Sequence, residues 1–94
     1  MDKNIIAEDI AKLLKYIASP VRLLILCNLL EKEKNVSELL QNIKVSQSAL
    51  SQHLILLKQY DIITSHKVGK FVYYSVINQK TKDILGFLSK ICST

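Results

Sequence analysis

Apolar residues in the first third of the chain recur at the spacing of helices. Ile6, Ile10, Leu13 and Ile17 follow a 4-3-4 spacing that places them on one side of a helix. This pattern predicts an amphipathic helix over about residues 4–18.

A second helix follows at once and is apolar on nearly every side. Ser19 and Pro20 mark its start, because serine caps a helix and proline is tolerated at the first helical position. The run VRLLILCNLL then predicts a helix over about residues 20–31, which we expect at the centre of the core. The charged exit EKEK predicts a solvated turn after it.

Two further helices are predicted with a short turn between them. Asn35 and Glu38 have capping-box spacing at the start of a helix over about residues 36–42. Ser46 is placed to cap a fourth helix that runs to about Tyr60. Two helices joined by so short a turn form a helix-turn-helix. The side chains expected to face the core are Val36, Leu39, Leu40, Leu50, Leu54 and Leu57.

Beyond residue 60 the composition becomes typical of strands. The run IITSHKVGKFVYYSVI predicts a hairpin with strands over about residues 62–66 and 71–77. The turn is expected at Val68-Gly69-Lys70, because glycine supplies the positive φ of tight hairpins. Asn78 or Thr81 then caps a last amphipathic helix. The predicted fold is mainly α with a small β-hairpin, a winged helix-turn-helix of order α-α-α-α-β-β-α. The apolar residues of the last helix are Ile84, Leu85, Phe87, Leu88 and Ile91.

Length and composition predict one small domain over residues 1–94. Apolar residues make up 49% of the 94, enough for one modest core, and chains this short often gain stability by dimerising. A run of about 18 uninterrupted apolar residues is absent, so we expect no contact with a membrane. The start, MDKNIIAEDI, lacks the order of a signal peptide, which favours a cytoplasmic protein with Cys27 and Cys92 as reduced thiols.

The positive charge of the chain is concentrated in one segment. Residues 1–43 carry six basic and six acidic side chains, and residues 83–94 carry one of each. Residues 44–82 carry six lysines against Asp61 alone, so the whole excess of +5 lies there. This segment predicts a polyanionic partner, above all double-stranded DNA. The alternative is a merely solvated basic surface.

The fourth helix begins with unusually many small polar residues, VSQSALSQHL. Serine is a mediocre helix former, so the pattern favours an outward surface built to bind. Glutamine pairs with adenine, and serine with bases or phosphates, whereas an inert polar surface is the alternative reading. His53 lies at the edge of the inward side, so a structural role and a DNA contact stay open. The candidate DNA contacts are Lys44, Ser46, Gln47, Ser48, Ser51, Gln52, Lys67 and Lys70.

Three stretches together resemble one family, the ArsR-type winged-helix repressors. They are IASPVRLLILCNLL, NVSELLQNIKVSQSALSQHLILLKQYDII and KVGKFVYYSV, and the resemblance covers nearly all of the chain. It implies a homodimeric transcriptional repressor that dimerises through its first and last helices. Gln47, Ser48, Ser51 and Gln52 would then enter the major groove of a palindromic operator, with half-sites about one helical turn apart.

The two cysteines resemble a particular branch of that family. Metal-sensing members carry cysteines in the third helix or Asp/His pairs in the last, and NVSELLQN and TKDILGFLSKICST lack these sets. We therefore expect no metal and no cofactor. Cys27 and Cys92 instead resemble the sulfide- and persulfide-responsive biofilm-growth repressors. This implies release from the operator when reactive sulfur species or oxidants join the pair by a disulfide or polysulfide bridge. A direct disulfide needs Cα atoms within about 7 Å, and inserted sulfur relaxes that limit.

Other interpretations remain open at this point. A cysteine on an apolar helix is commonly a small hydrophobic residue, so both thiols could be structural in a repressor with a metal or another inducer. A winged-helix module for protein interaction would keep the same core pattern but leaves the basic segment unexplained. An enzyme is disfavoured, because the sequence shows no paired carboxylates at a plausible site, no nucleophile–base pair and no glycine-rich phosphate loop.

Overall fold

The computed structural model describes residues 2–92, and the side chains of residues 2–90. Five helices and an antiparallel hairpin occur in the predicted order, which confirms the fold class. The elements are α1 (Lys3–Ile17), α2 (Pro20–Glu31), α3 (Val36–Asn42), α4 (Gln47–Gln59), β1 (Ile63–Val68), β2 (Phe71–Val76) and α5 (Gln79–Cys92).

The helices begin where local capping signals stand in the sequence. The Ser19 hydroxyl accepts a hydrogen bond from the backbone of Arg22, and Asn35 and Glu38 form both halves of a capping box. Of the two residues proposed to cap α5, Asn78 does so: its Oδ1 accepts from the Thr81 backbone at 2.8 Å. These bonds satisfy N–H groups that have no partner within the helix.

The core lies where α2, α3, α4 and the base of the hairpin meet. Leu39, Leu50, Leu54 and Leu57 are buried as predicted. The expectation that α2 lies at the centre of the core is only half right, since Leu24 is 48% exposed. The physical reason is size: one short chain covers only one side of an all-round apolar helix. The buried apolar residues are Ile17, Ile25, Leu26, Leu29, Leu39, Ile43, Leu50, Leu54, Leu57, Ile62, Ile63, Val76 and Leu85.

The hairpin closes through a two-residue turn. Val68 pairs with Phe71, so Gly69 and Lys70 form the loop. Gly69 has φ of +62°, and in residues 2–92 the one other residue with positive φ is Asp61. Glycine in the first central position is the signature of a type II′ turn, whose twist matches the strands. The first strand therefore continues two residues further than predicted.

The turn between α2 and α3 is not wholly solvated, and this corrects the expectation for EKEK. Lys34 is 5% exposed, and its backbone pairs with Tyr74 of β2 in both directions. Its ammonium donates to Glu31 and to Asn28 Oδ1 at 3.0 and 3.2 Å. Burial of this lysine follows from pairing with a strand about 40 residues later in the chain, and its charge stays satisfied by two acceptors.

None of the helices in residues 2–92 is by itself both long and apolar enough to cross a membrane. The pair α1 and α2 passes that test jointly, by length and composition, but the chain bends by 97° between them.

Candidate nucleic-acid interface

Helix α4 has one buried apolar side and one exposed polar side, as its sequence predicted. Leu50, Leu54 and Leu57 anchor it in the core. Gln47, Ser48 and Gln52 are exposed, whereas Ser51 is half-buried at the border between the two sides. No acidic residue occurs between Glu38 and Asp61, so phosphates would meet no like charge on this helix.

The start of α4 is held by hydroxyl groups. Ser46 Oγ accepts a hydrogen bond from the Ala49 backbone at 3.1 Å. The same oxygen lies 3.3 Å from Ser48 Oγ, within hydrogen-bonding distance. Ser46 therefore fixes where the helix begins, and it shares its hydroxyl with a neighbour on the exposed side. This bond restricts the rotation of the Ser48 hydroxyl before any ligand arrives.

The predicted lysines all lie at the surface, in two parts of the fold. Lys44 is exposed in the turn before α4. Lys67 is exposed near the end of β1, and Lys70 is exposed in the hairpin turn with its ammonium 5.6 Å from the centre of the Phe71 ring. An ammonium above an aromatic ring is attracted by the electron-rich face, so this contact favours a defined position for Lys70.

A hydrogen bond joins α4 to the hairpin of β1 and β2, which we call the wing. Lys58, in the last turn of α4, donates through Nζ to Ser65 Oγ of β1 at 2.7 Å. The backbone between them closes with bonds from Asp61 to Lys58 and from Ile62 to Leu57, the pair that defines a Schellman end. The wing is thus oriented relative to α4 by hydrogen bonds as well as by packing. The Lys58 side chain is exposed, but its ammonium group contacts β1 through this hydrogen bond.

The two histidines differ in their surroundings. His53 is half-buried on α4, which keeps both of its proposed roles open. His66 Nε2 on the wing lies 3.3 Å from Glu33 Oε2, with both side chains about half exposed (49% and 48%). That contact ties the wing to the turn before α3. No local sequence pattern predicts it, because the two residues lie far apart in the chain.

Ile55 is a surface feature of α4 that sequence reasoning missed. It is 65% exposed, although it is a large aliphatic residue. At about 100° per residue, Ile55 projects within about 20° of Ser48, two turns further along the helix. The helical projection of the sequence therefore contained the signal, because it places Ile55 opposite the buried leucines.

A polar network joins α2 to the helix-turn-helix. Asn28 Oδ1 accepts from Asn42 Nδ2 at the end of α3, at 2.8 Å, and from Lys34 Nζ at 3.2 Å. Its Nδ2 donates to the Leu24 carbonyl. The bond to Asn42 holds the end of α3 against α2. Asn28 follows Cys27 directly in the sequence, so this contact lies next to a candidate sensing thiol.

The candidate sensing residues lie on two helices that pack together. Cys27 is exposed on α2, and α2 packs against α5. Cys92 is the last residue of α5, and its side chain lies outside the described residues. In the part of the chain whose side chains are described, three or more His, Cys, Asp or Glu residues nowhere group closely enough to hold a metal ion.

A pair of tyrosines connects α1 to the end of α4. The rings of Tyr16 and Tyr60 stack with their centres 3.6 Å apart and their planes at 19°. The hydrogen bond between the two side chains raises the pKa of Tyr60 above its usual value, and nearby Lys12 and Lys15 oppose that effect. The end of α4 is therefore held against α1 as well as against the wing.

The fold and this surface define a winged helix-turn-helix protein, and comparison with known proteins identifies its family. Residues 19–65 match the arsR family of bacterial regulatory proteins, and the chain belongs to that family. The transcriptional activator HlyU of Vibrio cholerae is 36% identical over 91 residues, which is 97% of this chain and 82% of HlyU.

Two further likenesses cover most of the chain. The biofilm growth-associated repressor of Xylella fastidiosa is 35% identical over 88 residues, 94% of this chain and 77% of that protein. Vibrio cholerae HlyU in its reduced form superimposes with a TM-score of 0.84 at 36% identity, over 92% of this chain and 94% of that one. These relatives are transcriptional regulators and not enzymes, in agreement with the prediction from sequence.

Proposed function

We propose that this protein is a homodimeric, sequence-specific DNA-binding transcriptional repressor. One observation carries the DNA-binding part: α4 presents exposed Gln47, Ser48 and Gln52 on an acid-free surface within the segment that holds the whole +5 excess. Hydrogen-bonding side chains on a helix of this kind read base edges in the major groove, while lysines supply affinity through phosphates. Lys44, Lys67 and Lys70 are the proposed phosphate contacts, and Ser46 and Ser51 complete the surface.

Binding is tested with duplexes selected by the protein from a random library. Gln52→Ala should weaken binding to the selected duplex about tenfold, since a lost bidentate base contact costs about 1–3 kcal/mol. Gln79→Ala, which changes an exposed glutamine of α5 outside α4, is the matched control and should leave affinity unchanged. Equal behaviour of the two variants would argue against base readout by α4.

The direction of regulation is tested in cells. The relatives include both an activator and a repressor, and we assign this chain to the repressing kind on its resemblance to the biofilm repressor. A reporter gene placed behind the selected duplex should fall in expression when the protein is produced. A rise would assign the chain to the activating kind while leaving DNA binding intact.

Exposed apolar side chains on α1 and α5 support the dimer. Ile5 and Leu14 of α1 are 54% and 43% exposed, and Phe87 of α5 is 66% exposed. Large apolar groups in such number on two amphipathic helices are typical of an interface. A two-fold dimer presents two recognition helices, so the operator is expected to be palindromic.

Analytical ultracentrifugation tests the dimer directly. Phe87→Glu should shift the protein from dimer to monomer, because it places a charge in a desolvated contact. Val68→Glu makes the same change at a site on the wing that is 54% exposed, and it should leave the dimer intact. A dimer that survives Phe87→Glu would place the interface elsewhere.

The proposed inducer is a reactive sulfur species or another oxidant. In the direct reaction the thiols of Cys27 and Cys92 lose two electrons and two protons to the oxidant and form one S–S bond. A polysulfide supplies the oxidising equivalents and the inserted sulfur, and is itself reduced to hydrosulfide. Support comes from the exposure of Cys27, the packing of α2 against α5, and the likeness to a relative solved in its reduced form. Bridging would shift α5, and with it the spacing of the two recognition helices.

This switch is tested by adding polysulfide to reduced protein and measuring DNA affinity and intact mass together. The wild type should lose affinity and gain the mass of a bridge, which is two hydrogens lost plus any sulfur inserted. Cys92→Ser should keep its affinity under the same treatment, and dithiothreitol should restore the wild type. If Cys92→Ser responds like the wild type, the cysteines are structural.

A further inference from the structure

Within the outward surface of α4, one aliphatic residue interrupts the run of polar side chains. Ile55 is 65% exposed, whereas Leu50, Leu54, Leu56 and Leu57 of the same helix are buried or half-buried. A single exposed isoleucine is ordinary on a protein surface, so its exposure alone decides nothing. Its position among the proposed base contacts is what suggests a role for Ile55 in DNA recognition.

The geometry of α4 aligns Ile55 with those contacts. At about 100° per residue it projects about 20° from Ser48 and about 60° from Gln52, on the side opposite the buried leucines. The rise of about 1.5 Å per residue places it about 10 Å beyond Ser48, or about three base pairs further along a groove that the helix follows. The next long side chain toward the helix end, Lys58, is held by Ser65.

The chemistry of Ile55 fits one base better than the others. An aliphatic side chain forms no hydrogen bond, so in the major groove its favourable partner is the C5-methyl group of thymine. Isoleucine in a helix keeps essentially one χ1 rotamer, so its methyl groups are already positioned and little side-chain entropy is lost on contact. Desolvation of both apolar surfaces then stabilises the complex.

We propose that Ile55 is a specificity-determining residue that contacts a thymine methyl group about three base pairs from the position read by Ser48. The inference rests on the proposed DNA-binding function and deepens it, because it assigns an apolar reading position to a surface otherwise made of hydrogen-bonding groups. The operator should therefore contain a thymine at that place, and the protein should distinguish it from other bases through its methyl group.

Removing the methyl group from DNA, one thymine at a time, tests the contact. Duplexes selected by the wild-type protein are remade with deoxyuridine at each thymine in turn, which leaves base pairing unchanged. Wild-type affinity should fall about fourfold at one thymine, or at its symmetry mate, the effect of losing one buried methyl group. Ile55→Ala should be insensitive to deoxyuridine at that position and unaltered in its response elsewhere.

Gln52→Ala is the matched control from the same side of the helix. It should bind every duplex more weakly yet keep the fourfold methyl effect, because the isoleucine is unchanged. Ile55→Ala is expected to fold, since alanine is the better helix former and the site is exposed. Circular dichroism checks this before binding is measured.

The outcomes separate the two proposals. If the protein selects no duplex, the DNA-binding function itself is wrong and this inference falls with it. If it selects duplexes whose affinity is the same with deoxyuridine at every position, DNA binding stands and the role of Ile55 is wrong. If Ile55→Ala keeps the methyl dependence of the wild type, another residue makes the contact.

Discussion

Asp61 adopts a backbone conformation that is unfavourable for a residue with a side chain. It follows the C-cap of α4 with φ of +57°, in the left-handed region that favours glycine. A side chain costs about 1–2 kcal/mol there, although aspartate tolerates the region better than most residues. Its negative charge also faces the negative end of the helix dipole. Asp61 therefore places a carboxylate at a strained position, and it is the one acidic residue of the basic segment 44–82.

Replacing Asp61 by glycine should therefore stabilise the fold. We expect Asp61→Gly to raise the free energy of unfolding by about 1 kcal/mol, after the larger entropy of glycine in the unfolded chain is deducted. Asp61→Asn, the matched control, removes the charge and keeps Cβ, so it should gain only part of this. Urea denaturation at one fixed protein concentration measures all three. An Asp61→Gly variant that unfolds at the wild-type midpoint would show that the left-handed conformation carries no strain here.

The tyrosine pair predicts a pH dependence at the alkaline end. Because the hydrogen bond that the Tyr60 hydroxyl donates to Tyr16 raises the pKa of Tyr60, the folded state holds the phenol proton more tightly than the unfolded state. Its stabilising effect is present below the ordinary tyrosine pKa of about 10 and is lost as the pH rises through the raised value.

Phenolate absorbance measured against pH tests this assignment. Tyr16→Phe keeps the stacked ring but removes the hydroxyl, so the pKa of Tyr60 should fall toward its usual value. Tyr60→Phe identifies which part of the titration curve belongs to Tyr60. If the part of the curve that belongs to Tyr60 is unchanged in Tyr16→Phe, the hydrogen bond between the two hydroxyls does not set the pKa of Tyr60.

At the scale of elements, the start of α4 depends on one hydroxyl. Ser46→Ala removes the acceptor for the Ala49 backbone and should destabilise the protein by about 1 kcal/mol. Ser46→Gly is the informative control, because glycine at this position costs only a few tenths of a kcal/mol. Thermal unfolding should therefore rank the wild type and Ser46→Gly together, above Ser46→Ala. The reverse order of the two variants would mean that the hydroxyl does not act as a cap.

The same helix shows why some features could be predicted from sequence and others could not. Caps such as Ser46 and Asn35 act on backbone groups three residues away, so the sequence placed the helix starts correctly. The burial of Lys34 depends on pairing with Tyr74, a contact that no local pattern encodes. Ile55 is a different case: helical spacing predicts its outward direction, but no local pattern distinguishes an exposed isoleucine from a core residue.

At the scale of the molecule, the lysines proposed to bind DNA and the apolar side chains proposed to form the dimer lie on different elements. Lys44 precedes α4, and Lys67 and Lys70 lie on the wing, whereas Leu14 and Phe87 lie on α1 and α5. The stacked Tyr16 and Tyr60 connect α1 to the end of α4, and the network at Asn28 connects α2 to α3. A change in how α1 and α5 pack in a dimer would therefore act on α4 through contacts that already exist in one chain.

The segment with the charge excess should determine how strongly DNA binding depends on salt. Each phosphate neutralised by a lysine releases counterions, so the slope of log affinity against log salt concentration changes by about 0.9 per contact. We expect Lys67→Ala and Lys70→Ala each to make the slope shallower by about that amount, with a similar loss of affinity for selected and unrelated duplexes. Fluorescence anisotropy over a series of salt concentrations measures both quantities.

Lys3→Ala separates local contacts from net charge. It removes one positive charge from α1, within residues 1–43, where basic and acidic side chains balance, and should leave the slope unchanged. If Lys3→Ala reduced the slope as much as Lys67→Ala, the DNA would be responding to the total charge of the molecule and not to the wing. A change confined to the wing variants would instead place phosphates beside the hairpin turn, where Gly69 and Lys70 meet solvent.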